Sequence, residues 1–461
     1  MGKKRLELSA DSKVGQILKY EESRRLFKKY LPEISKRVQG QESLSGFTLR
    51  RLVEYAGDTA AGQSLELLNQ ELSLLEIYTE NEGGGYTEDY PLTAAAQERV
   101  QEGHRSAIYP GKVWRDTEGK RIQAHGGALY YEDGIYYWYG ENKDRTDGKS
   151  PVWTWGIRFY SSRDLYNWED LGVLIRPELE NPASALYPER HLDRPHILKC
   201  DATGKYVCWV KDGSDNGGFL VLVADRFTGP YTVVGEKLRP TGGVAGDFDI
   251  IKSDNGKAYL FMTDTKIGIV GFELTQDYLS ADHEVSRQYG NLYAPFCREG
   301  VALFERGGKK YMFTSGMTGY VPNKSDTAVS DSWTDKFVSI GSPHWRDESN
   351  ASFNSQISQV FKVPGREDLY ISVADRWVPD YPVDARRADI LERSTAAHFE
   401  PENYQVTEEE KQELMNSPMM DSADTSKADY VWLPLRFVEP CEEYQEGMVF
   451  IDWKDEWRIE Y

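Results

Sequence analysis

Positive charge, cysteine and long apolar runs are all in short supply in this sequence, and each shortage excludes something. Fifty-five Lys and Arg face 75 Asp and Glu, a formal charge of −20. A field of that sign repels phosphate backbones, and no basic run offsets it, so no nucleic-acid partner is expected. The four cysteines, Cys200, Cys208, Cys297 and Cys441, lack metal-ligand or redox spacing. They read as free thiols in a reducing compartment. No run of eighteen apolar residues occurs, so nothing is expected to span a membrane. The opening MGKKRLELSADS has no apolar stretch after its basic residues, which predicts no secretory signal. Together these features predict a cytoplasmic protein without a membrane partner.

What is abundant is aromatic. The chain carries 12 Trp, 29 Tyr and 17 Phe among 461 residues. Such rings have two usual outlets, strand-rich cores and flat platforms for sugar rings. The total favours an all-β domain with a carbohydrate cleft. The length itself calls for two or three units.

Residues 1–80 show helical periodicity. Val14, Ile17 and Leu18, then Phe27, Leu31 and Ile34, then Leu49, Leu52 and Val53 recur at three- and four-residue steps, and Leu65, Leu68, Leu72 and Leu75 make the clearest stripe. Asp11-Ser12 and Gly57 stand where helix ends belong. A small module of three or four helices is predicted. Residues 81–105, with Gly83-Gly84-Gly85 and a polar run, have linker composition.

The texture of 106–461 is different. An apolar strand, a Gly- or Asp-containing turn and an aromatic-rich strand recur five times, with Tyr136, Tyr206, Tyr259, Tyr311 and Tyr370 in matching places. That long period, with several short strands per repeat, is the mark of propeller blades. The prediction is mainly β: a five-bladed β-propeller preceded by a small N-terminal helical module. A polar insertion at about 400–428 interrupts the fifth repeat before strands return at Tyr430–Leu433 and Met448–Phe450.

In a propeller the innermost strands converge on one axis, so polar residues that open different repeats can meet there. Three candidates follow: Asp247 before Phe248–Ile251, Glu299 in Arg298-Glu299-Gly300, and Gln356 in Phe353-Asn354-Ser355-Gln356. Two acids facing each other can divide the work of protonating a leaving oxygen and supporting the attack on a sugar.

Those segments, with Tyr136-Tyr137-Trp138-Tyr139-Gly140-Glu141-Asn142-Lys143 and Ala374-Asp375-Arg376-Trp377, resemble glycoside hydrolase family 43, and most of all its exo-β-1,3-galactanase-like branch. The resemblance covers about 110–460. It implies hydrolysis with inversion, a general acid at Glu299, and a carboxylate at Asp247 that tunes that acid. Most members begin the first blade with an Asp followed by Pro, whereas this chain has Gln123-Ala124-His125-Gly126-Gly127. The galactanase-like branch shares that loss, which implies Gln356 in its imidic-acid form as the base. Glu141 is an alternative, either binding a sugar hydroxyl or activating water, and His125 is a third. Trp345, Trp377 and Tyr139 are candidate sugar platforms, and Arg194 is a candidate for bonding sugar hydroxyls. No His, Cys or acid cluster has metal-ligand spacing, so neither metal nor cofactor is expected. The expected partner is an oligosaccharide substrate. The leading expectation is release of terminal galactose from β-1,3-galactan or arabinogalactan fragments. An α-L-arabinofuranosidase or β-xylosidase, or a propeller that only binds glycan, are the alternatives.

Overall fold

The computed structural model describes residues 4–6, 8–39, 47–56, 61–75, 77–79, 86–88, 105–215, 217–381, 383–414 and 423–459. The chain divides into two compact units, Met1–Gly83 with Trp345–Glu348, and Gly84–His344 with Ser349–Tyr461.

The first unit is helical. Its described residues form five helices, Val14–Leu18, Glu21–Tyr30, Pro32–Gln39, Leu49–Ala56 and Ala61–Leu74, rather than three or four. The extra break comes at Leu31-Pro32, because proline cannot continue the helix before it and is at home in a first turn. The apolar stripes read from the sequence face one core of Val14, Ile17, Phe27, Leu31, Leu49, Leu52, Leu65, Leu68 and Leu72. Asp11 does not start a helix. It accepts a bond from Arg50 Nε at 2.8 Å instead. Gly57 lies outside the described residues, as does most of 81–105. Within that stretch Tyr86–Glu88 is a strand paired with Trp457–Ile459.

The second unit is a five-bladed propeller. Blade 1 runs His125–Glu132, Ile135–Glu141, Ile157–Ser162 and Glu169–Ile175. Blade 2 begins with Leu192–Lys199 and Tyr206–Asp212, blade 3 with Ala245–Lys252 and Ala258–Asp264, and blade 4 with Arg298–Arg306 and Lys309–Gly316. Blade 5 pairs Gln356–Lys362 with Tyr370–Arg376, then resumes at Asp429–Tyr430, Leu433–Val438 and Met448–Ile451. The insertion between them carries helices Ala385–Ala396 and Glu408–Leu414. Each repeat read from the sequence is the first hairpin of a blade, and its aligned tyrosine is buried. Two of these rings tie neighbours together: Tyr206 Oη donates to Glu132 of blade 1, and Tyr370 Oη donates to the Glu305 carbonyl of blade 4 at 3.0 Å.

The first strands of neighbouring blades pack side by side around the ring, and blade 5 meets blade 1 to close it. The surplus of tryptophan is spent at that seam. Trp138 of blade 1 lies 4.5 Å from Trp432, 5.3 Å from Trp114 and 5.4 Å from Trp168, ring centre to ring centre. Their mostly edge-on geometry suits the quadrupoles of aromatic rings.

One local feature positions the site. In all five blades the pairing of first and second strands slips near the start of the first strand, at His125/Ala128, Asp193/His196, Ala245/Phe248, Glu299/Ala302 and Ile357/Gln359. A bulge inserts an unpaired residue and re-aims its side chain. Gly126, Arg194 and Gly300 sit in these slips with φ of 56°, 52° and 63°. For Arg194 this left-handed conformation carries a steric cost, so its surroundings must hold it there.

Candidate active site

Arg194 is the hub of the axis. Its backbone N–H donates to Glu141 Oε1 of blade 1 at 2.9 Å, and its Nε lies 3.1 Å from Asp247 Oδ2 of blade 3. Its guanidinium also donates to the carbonyl of Val301 in blade 4 at 3.4 Å and of Ile357 in blade 5 at 3.0 Å. One buried residue of blade 2 therefore touches all four other blades, blade 1 through its backbone and blades 3, 4 and 5 through its side chain. Nε, Nη1 and Nη2 each make one of these contacts, so Arg194, expected to meet sugar hydroxyls, also serves as an internal brace.

Asp247 is buried between two cations. Lys211 Nζ stands 2.9 Å from its Oδ1, opposite Arg194, and Gly300 N–H donates to Oδ2 at 3.3 Å. Burial alone would raise its pKa, but the Lys211 ammonium and Arg194 guanidinium outweigh it and hold the carboxyl well below the usual range. Lys211 also lies 3.1 Å from Asp193 Oδ2. Buried between carboxylates, its own proton is held more tightly than usual, their attraction exceeding the cost of burial.

Glu299 is the opposite case. Its strand position pairs with Ser315, one residue before Gly300, whose N–H reaches Asp247. Burial first, and the Asp247 charge second, push its pKa up to about 8, against smaller opposing pulls from Lys211, Arg194 and Arg298. At neutral pH this pair is thus held with Asp247 ionised and Glu299 protonated. Two acids driven apart in this way can take different roles in one reaction.

Gln356 stands beside the acid. Its Nε2 donates to Ser315 Oγ at 3.0 Å, and a β-carbon on Gly300 would press on its side chain at 3.2 Å. Glu141 is deeper. Its carboxylate lies under Gly126, where a β-carbon would collide with it, and Oε2 is 2.8 Å from Lys143 Nζ. Burial, partly offset by Lys143, raises Glu141 to about 7.

The structure thus brings together Asp247, Glu299, Gln356, Glu141 and Arg194. It separates others. His125 is fully buried, with Nδ1 3.0 Å from Asp375 Oδ1, Nε2 3.1 Å from Gln123 Oε1 and its ring stacked on Tyr430, so it is a packed strut rather than a sugar contact. Tyr139 is a core ring. It packs on Phe159 and Phe227, and its hydroxyl accepts from Ile197 N–H at 2.8 Å, because its strand position faces the layer between blades 1 and 2. Trp345 belongs to the helical unit and not to the propeller. Trp377 is buried but close by, 5.7 Å from His125 and 5.2 Å from Tyr320.

Sequence reasoning missed Lys211, Asp193 and Trp153. Trp153 Nε1 donates to Asp193 Oδ1 at 2.6 Å, and Lys143 Nζ donates to the Trp153 carbonyl at 2.7 Å. A signal for Lys211 existed: it is a cation directly after the apolar run Tyr206-Val207-Cys208-Trp209-Val210, still inside the strand. Among the described residues no group of three or more His, Cys, Asp or Glu is arranged to hold a metal ion, and no helix is long and apolar enough to cross a membrane. All four cysteines are unpaired.

Comparison with known proteins places this geometry. No curated protein sequence matches the chain significantly. A β-1,3-galactosidase of family GH43 superposes with a TM-score of 0.58 at 27% identity, over 77% of this chain and 64% of its own length. A second GH43 β-1,3-galactosidase superposes with the same score at 24% identity, over 76% of this chain and all of its own. An exo-β-1,3-galactanase from Clostridium thermocellum follows at 0.57 and 23%, over 77% of this chain and 67% of its own. At these last two identities the likeness speaks for the fold. The model of glycosyl hydrolases family 43 matches residues 117–397, a span that includes Glu141, Arg194, Asp247, Glu299 and Gln356. The chain belongs to glycosyl hydrolase family 43.

Proposed function

We propose that this glycosidase is exo-acting and inverting, and releases terminal galactose from β-1,3-galactan or arabinogalactan-type oligosaccharides. The observation that carries the reading is the pairing of Asp247, held ionised by Lys211 and Arg194, with Glu299, which keeps its proton up to about pH 8. Glu299 donates that proton to the glycosidic oxygen as the C–O bond breaks. Water then attacks the anomeric carbon from the opposite face and inverts it. Gln356, in imidic-acid form, takes the proton that the water loses, and that proton returns to the acid before the next cycle. The galactose preference is supported by the GH43 β-1,3-galactosidase at 27% identity. A second reading gives the base role to Glu141, favoured by a carboxyl raised to about 7, where a base works best at neutral pH.

The test is hydrolysis of β-1,3-galactobiose beside nitrophenyl arabinofuranoside, xyloside and galactoside, with Glu299→Gln in parallel. Galactose released from galactobiose alone, with inverted configuration by NMR, is the expected result. Arabinose or xylose release would reassign the substrate, and binding without turnover would make the chain a glycan-binding propeller. Gln356→Ala should slow turnover by about two to four orders of magnitude. A near-normal rate would pass the base role to Glu141.

A further inference from the structure

Just ahead of blade 5 the backbone enters the left-handed region. Ser352, Phe353 and Asn354 take φ of 54°, 56° and 54°, and Asn350 takes 55°. Among the described residues this is the only run of three consecutive non-glycine residues with positive φ. There a β-carbon crowds the following carbonyl oxygen, so each residue is strained and the turn persists only if its surroundings hold it. The turn ends two residues before Gln356, the first residue of its strand.

Two clamps hold the turn. Arg376, the last residue of the neighbouring strand, donates from Nη2 to the Phe353 carbonyl at 2.9 Å and from Nε to the Asn354 carbonyl at 3.3 Å. From blade 4, Ser325 N–H donates to Ser352 Oγ at 2.9 Å, and that hydroxyl donates to the Asn323 carbonyl at 2.7 Å. The arginine grips two successive carbonyls, a match that needs a planar fork of donors and that a point charge does not reproduce. Its guanidinium is itself seated. Trp453 lies 5.5 Å from it and 5.5 Å from the Phe353 ring, and a β-carbon on Gly111 would collide with it.

The direction of the Gln356 side chain depends on this turn. The turn fixes the backbone before Gln356, the register slip at Ile357/Gln359 fixes it afterwards, and Ser315 Oγ accepts from Nε2 at 3.0 Å. Arg376 directly follows Asp375, the ladder partner of Gln356, so clamp and glutamine are anchored to the same two strands. An amide that must meet one water tolerates little displacement, about 1 Å costing about a hundredfold in rate. We propose that Arg376 is a positioning residue for the hydrolysis: by clamping the left-handed turn Ser352–Asn354 it aims the Gln356 amide at the attacking water. The proposal rests on the reaction proposed above, with Gln356 as its base.

The test compares kcat and KM of the full chain with those of Arg376→Met, Arg376→Lys, Gln356→Ala and the double variant Arg376→Met/Gln356→Ala. The substrate is whichever glycoside the wild type cleaves, with β-1,3-galactobiose expected. Arg376→Met should lower kcat about 10- to 100-fold with KM changed by less than about twofold, and Arg376→Lys should lower it less. The double variant should be no slower than Gln356→Ala, because the clamp acts only through the glutamine. Asn354→Gly in the Arg376→Met background should restore most of the lost kcat. Glycine takes positive φ without the steric cost, and Asn354 Oδ1 has no partner to lose. Should Arg376→Met fail to fold, Arg376→Lys takes its place in each comparison. Two arginine variants with near-normal kcat, or losses that multiply in the double variant, overturn the proposal and leave the hydrolysis standing. A near-normal Gln356→Ala removes both the glutamine and its clamp from the mechanism. A wild-type chain that cleaves none of the glycosides overturns the reaction and this role together.

Discussion

The ammonium of Lys211 lies 2.9 Å from the carboxylate of Asp247, with both side chains largely shielded from water. In that low-dielectric setting a cation stabilises both carboxylates near it, so Lys211 sets the proton balance of the whole site. Removing it should raise the pKa of Asp247 and of Glu299 together, since it lowers both. Lys211→Met is therefore expected to move both limbs of the pH–rate profile to higher pH, and Lys211→Arg to move them less. A kcat/KM profile with unchanged limbs would remove Lys211 from this role.

Glu299 must carry its proton to act as an acid. Its pKa of about 8 predicts activity that falls on the alkaline side near that pH. Glu299→Gln should lose about two to four orders of magnitude in kcat, the usual share of a general acid. Its melting temperature should not fall, because the amide keeps the neutral shape the protonated acid already has.

Asp249 offers a stability test separate from activity. Buried, it accepts from the backbone of Leu303 and Ile250, each at 2.7 Å, and lies 3.2 Å from His196 Nδ1. Burial dominates and raises its pKa to about 8 from an ordinary 3.8, while burial lowers His196 to about 3. The folded state thus binds a proton at Asp249 that the unfolded chain releases. That contribution is complete below about pH 4 and lost as pH rises through about 8. Asp249→Asn should flatten part of this decline in urea midpoints measured from pH 5 to 9. An unaltered slope would assign the decline to other groups.

Arg194 braces the axis through bonds to four blades. Arg194→Ala would leave Asp247 with one cation and two buried carbonyls unmatched. A cost of about 3–5 kcal/mol is expected, as for breaking a buried ion pair from one side. Denaturant unfolding measures it. A loss below about 1 kcal/mol, the scale of an exposed pair, would mean that solvent reaches the axis.

The sequence alone carried the repeating units and the acids that open them. Five hairpins with matching tyrosines and the leucine stripes of the helical unit are local patterns, set by period two along a strand and three to four along a helix, and these survive folding unchanged. Glu299 and Asp247 were legible for the same reason: each stands at the start of a repeat. What only tertiary structure decided was where those residues point and what they meet. The register slips at the head of every first strand determine which side chains turn to the axis, and a slip of one residue exchanges the faces of a strand. That is why Arg194 became a brace, while Tyr139, on a second strand, faces the core between blades 1 and 2. Lys211 meets Asp247, and Trp153 meets Asp193, across blade boundaries that exist only once the blades have packed together, so these partners stand apart along the chain.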